Sequence, residues 1–237
     1  MRSLLIFGIV SAALLIASAT QADIIIDSFG TPQSLTVTGT SATASNWVSG
    51  SDMVGGQRGV QLDLASPQKG RDTVDVAIDP SGVLDFSQGS GTGTALLVWD
   101  GRSSGSVPAV NPSGLGKRDL TQGDPNAGLA FDVLFNDLPI DLSITLYSGS
   151  NPYTSTIALP GGNVSLGSYF ISYSAFPTGL DPTKVGAITL LIDGTVTAGA
   201  DVTLDNLRCV SSATPEPATW VLLCLAGIGI AFRRLKK

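Results

Sequence analysis

A period of two, returning between short turn-forming clusters, constrains this chain more than any other feature. Val60-Gln61-Leu62-Asp63-Leu64 alternates apolar and polar residues, and so does Val74-Asp75-Val76-Ala77-Ile78-Asp79. Alternation of this kind puts one set of side chains on a buried face and the other in water, as a half-buried strand does. The pattern recurs over 23–29, 34–38, 83–86, 95–99, 129–135, 142–147, 154–159, 169–173, 185–192 and 202–207, which makes about twelve strands. Gly, Pro, Asn and Asp separate them, with 28 Gly and 13 Pro in the 237 residues. No stretch between residues 23 and 210 carries a helical period with caps. The expected fold is therefore all-β, an antiparallel β-sandwich or jelly roll of about twelve strands. A parallel solenoid would need a recurring repeat, and none is present. One long connection, 101–126, is rich in Gly, Pro and Ser and reads as a loop.

Charge narrows the chemistry. From Asp23 to Thr214 there are 18 acids against 8 Lys and Arg, and every one of those acids is Asp. The only Glu is Glu216. Such a surface repels phosphate backbones, so no nucleic-acid partner is expected. The chain has no His, which removes Ser-His-Asp and Cys-His catalysis and His-built zinc sites. Cys209 and Cys224 lie in regions of different character, so no disulfide framework is implied, and Cys209 reads as a small buried hydrophobe.

The ends are of a different kind. Met1-Arg2-Ser3 precedes a nearly continuous apolar run over 4–19 that ends in Ala17-Ser18-Ala19, a cleavage candidate, with Thr20-Gln21-Ala22 as a second. This is the layout of a signal peptide, assigned to 1–22, and it implies export and a signal peptidase. The body follows over 23–210 and a short linker over 211–214. A tail over 215–237 holds Pro215-Glu216-Pro217, an apolar run over 218–232, and Arg233, Arg234, Lys236 and Lys237. As a helix that run would be about 22 Å long, short of the ~30 Å hydrocarbon core but flanked as a transmembrane helix is. Trp220 stands where an interfacial aromatic belongs, and the four bases keep the end cytoplasmic and the body outside. A signal helix and a transmembrane helix are thus expected to flank the sandwich.

Pro-Glu-Pro, an apolar stretch and an Arg-rich end together resemble the PEP-CTERM sorting signal, also labelled an ice-binding protein C-terminal domain. The resemblance covers about 24 of the 237 residues and departs from the usual pattern in having Thr214, not Val, before the motif. It implies that Pro215, Glu216 and Pro217 are recognised by an exosortase and that the inner membrane holds the precursor until processing. It also implies an origin in a Gram-negative bacterium that makes extracellular polysaccharide, with a place for the product at the cell surface or in the biofilm matrix. It implies nothing about ice. The body is similar to a set of exported PEP-CTERM proteins through Val54-Gly55-Gly56-Gln57-Arg58, Leu97-Val98-Trp99-Asp100-Gly101, Gly114-Leu115-Gly116, Val185-Gly186-Ala187-Ile188 and Leu204-Asp205-Asn206. That likeness implies a β-sandwich related to lectin-like modules and transfers no site residue.

For the body, no catalytic residue is expected. Sandwich glycosidases use Glu as the acid, and the body has none; a Ser nucleophile would have only Lys69, Lys117 or Lys184 as a base. The chain reads as a non-enzymatic surface or matrix protein, with a carbohydrate-binding module and a calcium-stabilised adhesin as alternatives. Trp47, Trp99 and Tyr153 are the candidate glycan contacts, because sugar sites combine an aromatic face with polar side chains. Trp47 lies in a Ser/Thr/Asn-rich stretch that suggests exposure, and Tyr153 follows the turn 148–152. Trp99 follows four apolar residues, so core packing is its favoured reading. No cofactor is expected; a structural calcium is left open, although Asp119–Asp124 lacks the spacing of a calcium loop, and no metal ligand is assigned. On a strand Asp75 and Asp79 share a face, with Asp72 on the other, which reads as an exposed polar face and not as a calcium loop.

Overall fold

A computed structural model describes residues 23–39, 43–66, 72–164 and 166–211. The expected signal peptide, residues 212–214 of the linker, and the tail with Pro215, Glu216, Pro217, Arg233, Arg234, Lys236 and Lys237 lie outside the described residues. Among the described residues, no helix is long and apolar enough to cross a membrane.

Residues Asp23–Ser211 form one compact unit. It contains β1 (Ile24–Asp27), β2 (Gln33–Thr38), β3 (Thr43–Ser49), β4 (Gln57–Ser66), β5 (Thr73–Ile78), β6 (Leu84–Gln88) and β7 (Thr92–Trp99). Then follow β8 (Gly128–Asn136), β9 (Ile140–Ser148), β10 (Asn151–Leu159), β11 (Gly167–Ser172), β12 (Val185–Asp193) and β13 (Val202–Val210). They make two antiparallel sheets. One runs β11-β8-β13-β6-β5-β2, with β1 also paired to β13; the other runs β10-β9-β12-β7-β4-β3. The expected two-sheet sandwich is present.

Alternation explains which sheet face each residue takes. Val60, Leu62 and Leu64 of β4 are buried, while Gln61 and Asp63 between them are only partly covered. Against them across the sandwich lie Val74, Val76 and Ile78 of β5 and Leu84 and Phe86 of β6 in the same apolar cluster. The strand that the sequence pattern missed is β3. Its residues Thr43-Ala44-Ser45-Asn46-Trp47-Val48-Ser49 carry little apolar contrast, because an edge strand buries only part of one face. It pairs with β4 from Thr43↔Asp63 to Ser49↔Gln57. On this side the sheets are laced together: Gln33 Nε2 donates to Asn46 Oδ1 at 2.6 Å, and Asn46 Nδ2 donates to the Ser34 carbonyl at 3.4 Å.

The core contains an ion pair that no pattern announced. Asp27 and Arg58 are both 0% exposed, and Arg58 Nη1 stands 2.8 Å from Asp27 Oδ2. Burying two charges is tolerated only when every donor and lone pair is used. Here each nitrogen of the guanidinium and each oxygen of the carboxylate has a partner. Arg58 Nε donates to Gln33 Oε1 at 2.7 Å and Nη2 to the Thr31 carbonyl at 2.6 Å. Asp27 accepts from the Phe29 amide at 2.7 Å and from Trp99 Nε1 at 2.8 Å. The guanidinium lies 5.9 Å from the Phe29 ring centroid. Burial pushes the Asp27 carboxyl above its ordinary value, and Arg58 pulls it back only in part.

Trp99 therefore takes its favoured reading, core packing. It was a candidate glycan contact, but it is 0% exposed and its indole N–H is spent on Asp27. Its place on the inward parity of β7 leaves it no path to a ligand. Asp72, on the other face from Asp75 and Asp79, is fully buried, with Ser90 Oγ donating to its carboxylate. Cys209 packs in the core as a small apolar group, its thiol pushed up to about 12 by burial.

Part of the all-Asp acid content has a structural reason. Asp27, Asp79, Asp100, Asp119, Asp124, Asp181 and Asp193 each accept the backbone N–H two residues on. This is the Asx-turn, which the short Asp side chain closes. Four of them, Asp79, Asp119, Asp181 and Asp193, also take the hydroxyl of a Ser or Thr at that position.

Asp132 gives a pH test of the sheet surface. Burial pushes its carboxyl up, but the Ser168 hydroxyl and the Arg208 guanidinium outweigh this and hold it below its ordinary 3.8. A depressed acid stabilises the fold above its unfolded pKa, and that contribution is lost as pH falls through the folded value. Asp132→Asn is expected to melt below the parent at neutral pH, with the gap closing as pH drops under 3.8. A gap that stays constant across that range in thermal melts would contradict the assignment.

Candidate functional surface

The two faces of the six-stranded sheet are unlike each other. One packs on the core. The other is solvent-facing, and register assigns its rows. One row runs Ser45–Gln61–Leu96–Leu191–Ser143–Thr156 across β3, β4, β7, β12, β9 and β10. Leu96 and Leu191 are half-buried and stand outside the core cluster, so the centre of this row is apolar and its flanks are polar. The next row toward the long loop begins with Trp47 on β3, opposite Gly59 of β4.

Gly59 lets the Trp47 ring lie close, since a Cβ there would come within 2.8 Å of the ring. The long loop after β7 then fixes the indole from its other neighbours. Trp47 Nε1 donates to the Gly105 carbonyl at 2.9 Å. Arg102 sets its Cζ 5.4 Å from the ring centroid. Arg102 in turn donates from Nε to Asp100 Oδ2 at 2.8 Å, with Nη2 2.7 Å from the same oxygen. Asp100 is wholly buried and also accepts the Asn111 amide at 2.7 Å. The result is a half-exposed aromatic and guanidinium rim at the edge of the face; farther along the same row Val98 and Thr189 are buried.

The loop itself is fastened at its far end. Arg118 and Val185 exchange both backbone hydrogen bonds, at 2.7 and 2.9 Å, and the Leu115 amide donates to Gly186 at 2.9 Å. Two glycines make this approach feasible. A Cβ on Gly114 would lie 1.7 Å from the Asp100 carbonyl oxygen, and one on Gly186 would lie 2.0 Å from that of Pro112. Four of the five Gly-rich phrases named from the sequence meet here: Gly55 faces Gly101 and Leu115, Gly114 faces Asp100, and Gly186 faces the loop. They build the loop's seat.

The sequence candidates separate in space. Trp47 stands on the solvent side of one edge strand. Tyr153 stands on the opposite edge strand, β10, half-buried against the core, near Gly179. At about 4.8 Å per strand these edges are roughly 24 Å apart. The structure does not bring Trp47, Trp99 and Tyr153 together. Arg102, Gln61, Leu96 and Leu191, which surround or extend the Trp47 rim, were not singled out by the sequence pattern. Leu96 and Leu191 sit within apolar runs, where alternation gives no signal. Among the described residues, no three Asp or Cys side chains gather as metal ligands. Lys184 pairs with Asp181 at 2.6 Å, which raises its pKa and makes it a poor base.

Comparisons with known proteins add the following. Residues 213–236 match the PEP-CTERM protein-sorting motif. No curated protein matches the chain. Among solved structures, a family 11 carbohydrate-binding module of a Clostridium thermocellum cellulosomal cellulase is 16% identical, covering 84% of this chain and 99% of its own, with a TM-score of 0.40. A family 30 carbohydrate-binding module from a cellulase of the same organism is 13% identical, covering 82% and 100%, at 0.41. An exo-β-agarase is 13% identical, covering 81% and 25%, at 0.42. At these scores the likenesses carry no conclusion about fold or ligand.

Proposed function

We propose that this chain, which carries a PEP-CTERM sorting motif, is an exported, non-enzymatic surface protein released into its final place by an exosortase. The observation that carries the sorting reading is the tail match over 213–236. The motif implies an exported, membrane-anchored precursor and processing by an exosortase. The finer steps are part of the proposal: a signal peptidase removes the N-terminus, Pro215-Glu216-Pro217 presents the tail site, and the product joins the extracellular polysaccharide layer.

For the body, the reading is glycan binding on the solvent face of the six-stranded sheet. What supports it is the chemistry of that face. Sugar rings offer C–H patches and hydroxyls together, and the face offers half-exposed Leu96 and Leu191 beside Gln61, with the Trp47–Arg102 rim at its edge. Trp47→Ala is expected to weaken retention on the host's polysaccharide about tenfold, the equivalent of ~1.4 kcal/mol. Gln61→Ala, which leaves the loop clasp untouched, is expected to weaken it by a smaller factor. Affinity electrophoresis reads both; unchanged mobility for both variants would remove this face from the account.

The sorting reading is tested separately by intact mass of the surface-exposed protein. The expected mass lacks the first 19 to 22 residues and the tail beyond the motif. A full-length mass at the surface would overturn it.

A further inference from the structure

The side of the sandwich bearing β10 and β11 differs from the rest of the molecule in charge. The body is strongly acidic, yet no charged residue occurs between Asp141 and Asp181. That stretch supplies most of β9 and all of β10 and β11. Two copies of an acidic protein repel each other at most approaches, and this stretch adds no charge of its own to that repulsion. The seven-stranded sheet's part of this side carries exposed apolar groups: Leu134 and Phe135 on β8, Phe170 on β11, and Val164 and Leu166 just before β11 are five of the seven exposed large hydrophobics among the described residues.

β10 is the free edge of the six-stranded sheet on this side. It pairs with β9 over all nine residues, and among the described residues no backbone hydrogen bond joins its other edge to any loop. The opposite edge, β3, is laced to β2 by Gln33 and Asn46. Natural sheets usually blunt an exposed edge with Lys, a bulge or a short strand. β10 has nine residues, no charge and no register shift; only Pro152, near one end, removes a donor.

The sequence of β10 is nearly symmetric about Ser155. Thr154 and Thr156 flank it, and Tyr153 and Ile157 flank those. An antiparallel pair of identical strands about a two-fold axis at Ser155 sets Thr154 of one copy against Thr156 of the other, and Tyr153 against Ile157. Both Thr residues are exposed and already form hydroxyl pairs with β9, Thr154 with Thr145 at 2.8 Å and Thr156 with Ser143 at 2.7 Å. The cross-copy contact extends that hydroxyl ladder. Such an interface is self-complementary, as a two-fold dimer requires.

We infer that β10 is a homodimerisation edge, at which two copies join their six-stranded sheets antiparallel about Ser155. Dimerisation makes one continuous solvent-facing sheet from two, doubling whatever face each copy presents.

The body Asp23–Ser211 holds its hydrophobic core within itself and is the form to test. Sedimentation equilibrium is expected to show a dimer with a dissociation constant of about 10 µM or tighter. Thr154→Lys with Thr156→Lys places like charges opposite each other across the two-fold and is expected to weaken the dimer at least tenfold, to monomer at the same concentration. Circular dichroism of that variant should match the parent, since both positions are exposed. Mixing it with Thr154→Glu/Thr156→Glu chains is expected to restore a mixed dimer, which simple misfolding would not do. A parent body that stays monomeric at about ten times that constant, or a Lys variant that dimerises as well as the parent, overturns the inference.

Discussion

Replacing Arg58 with Ala lowers the stability of the body by about 3–5 kcal/mol, the range for stripping one partner from a buried ion pair. The magnitude follows from what remains. Asp27 stays 0% exposed, with only the Phe29 amide and the Trp99 indole as donors, and Gln33 Oε1 and the Thr31 carbonyl lose theirs. In a domain of this size each kcal/mol moves the melting temperature roughly 2–4 °C, so a fall of about 10 °C is expected. Asp27→Asn combined with Arg58→Met removes the charge while keeping an acceptor for Trp99. The double variant is expected to be more stable than Arg58→Ala by about 1–3 kcal/mol, the coupling of residues in one network. Urea denaturation measures both. A cost under about 1 kcal/mol for Arg58→Ala would mean that the pair is not the keystone of this end of the core.

The second large effect concerns the tail. Glu216→Ala is expected to leave the protein wholly unprocessed in the inner-membrane fraction, because Glu216 is the one ionisable group of Pro215-Glu216-Pro217 and the motif is read as a unit. The apolar run over 218–232 and the four bases after it are unchanged in this variant, so insertion and orientation are retained and only maturation is lost. Fractionation followed by immunoblot reads the outcome. Normal maturation of the variant would sink the exosortase reading while leaving the body's fold untouched.

The sheet layout was legible in the sequence because half-buried strands advertise themselves by alternation. Val60–Leu64 and Val74–Ile78 alternate with one face in the core and one in water, and both stand as read. β3 was silent because an edge strand of Thr, Ser, Ala and Asn contrasts its two faces too little. The Asp27–Arg58 pair was illegible for a different reason. The pair and its partners Phe29, Thr31, Gln33 and Trp99 come from three separated segments, around 27–33, 58 and 99, and only the folded register unites them. Trp99 looked like a ligand aromatic because it precedes Asp100-Gly101, yet its four preceding apolar residues were the stronger signal. Trp47 was readable as partly exposed, while its dependence on Arg102 and Gly105 belongs to a loop more than fifty residues away in sequence. The all-Asp acid content was visible from the start. Its physical reason, Asp-x-Ser/Thr turns, was present in the sequence as a motif and went unread.

The most direct test of the account is the binding isotherm of the Asp23–Ser211 body on the host's own extracellular polysaccharide, measured with calcium and with chelator. The account predicts saturable binding that persists in chelator and falls about tenfold in Trp47→Ala. Absence of saturable binding under both conditions would contradict the glycan-binding reading of the six-stranded face and leave the body without the ligand assigned to it.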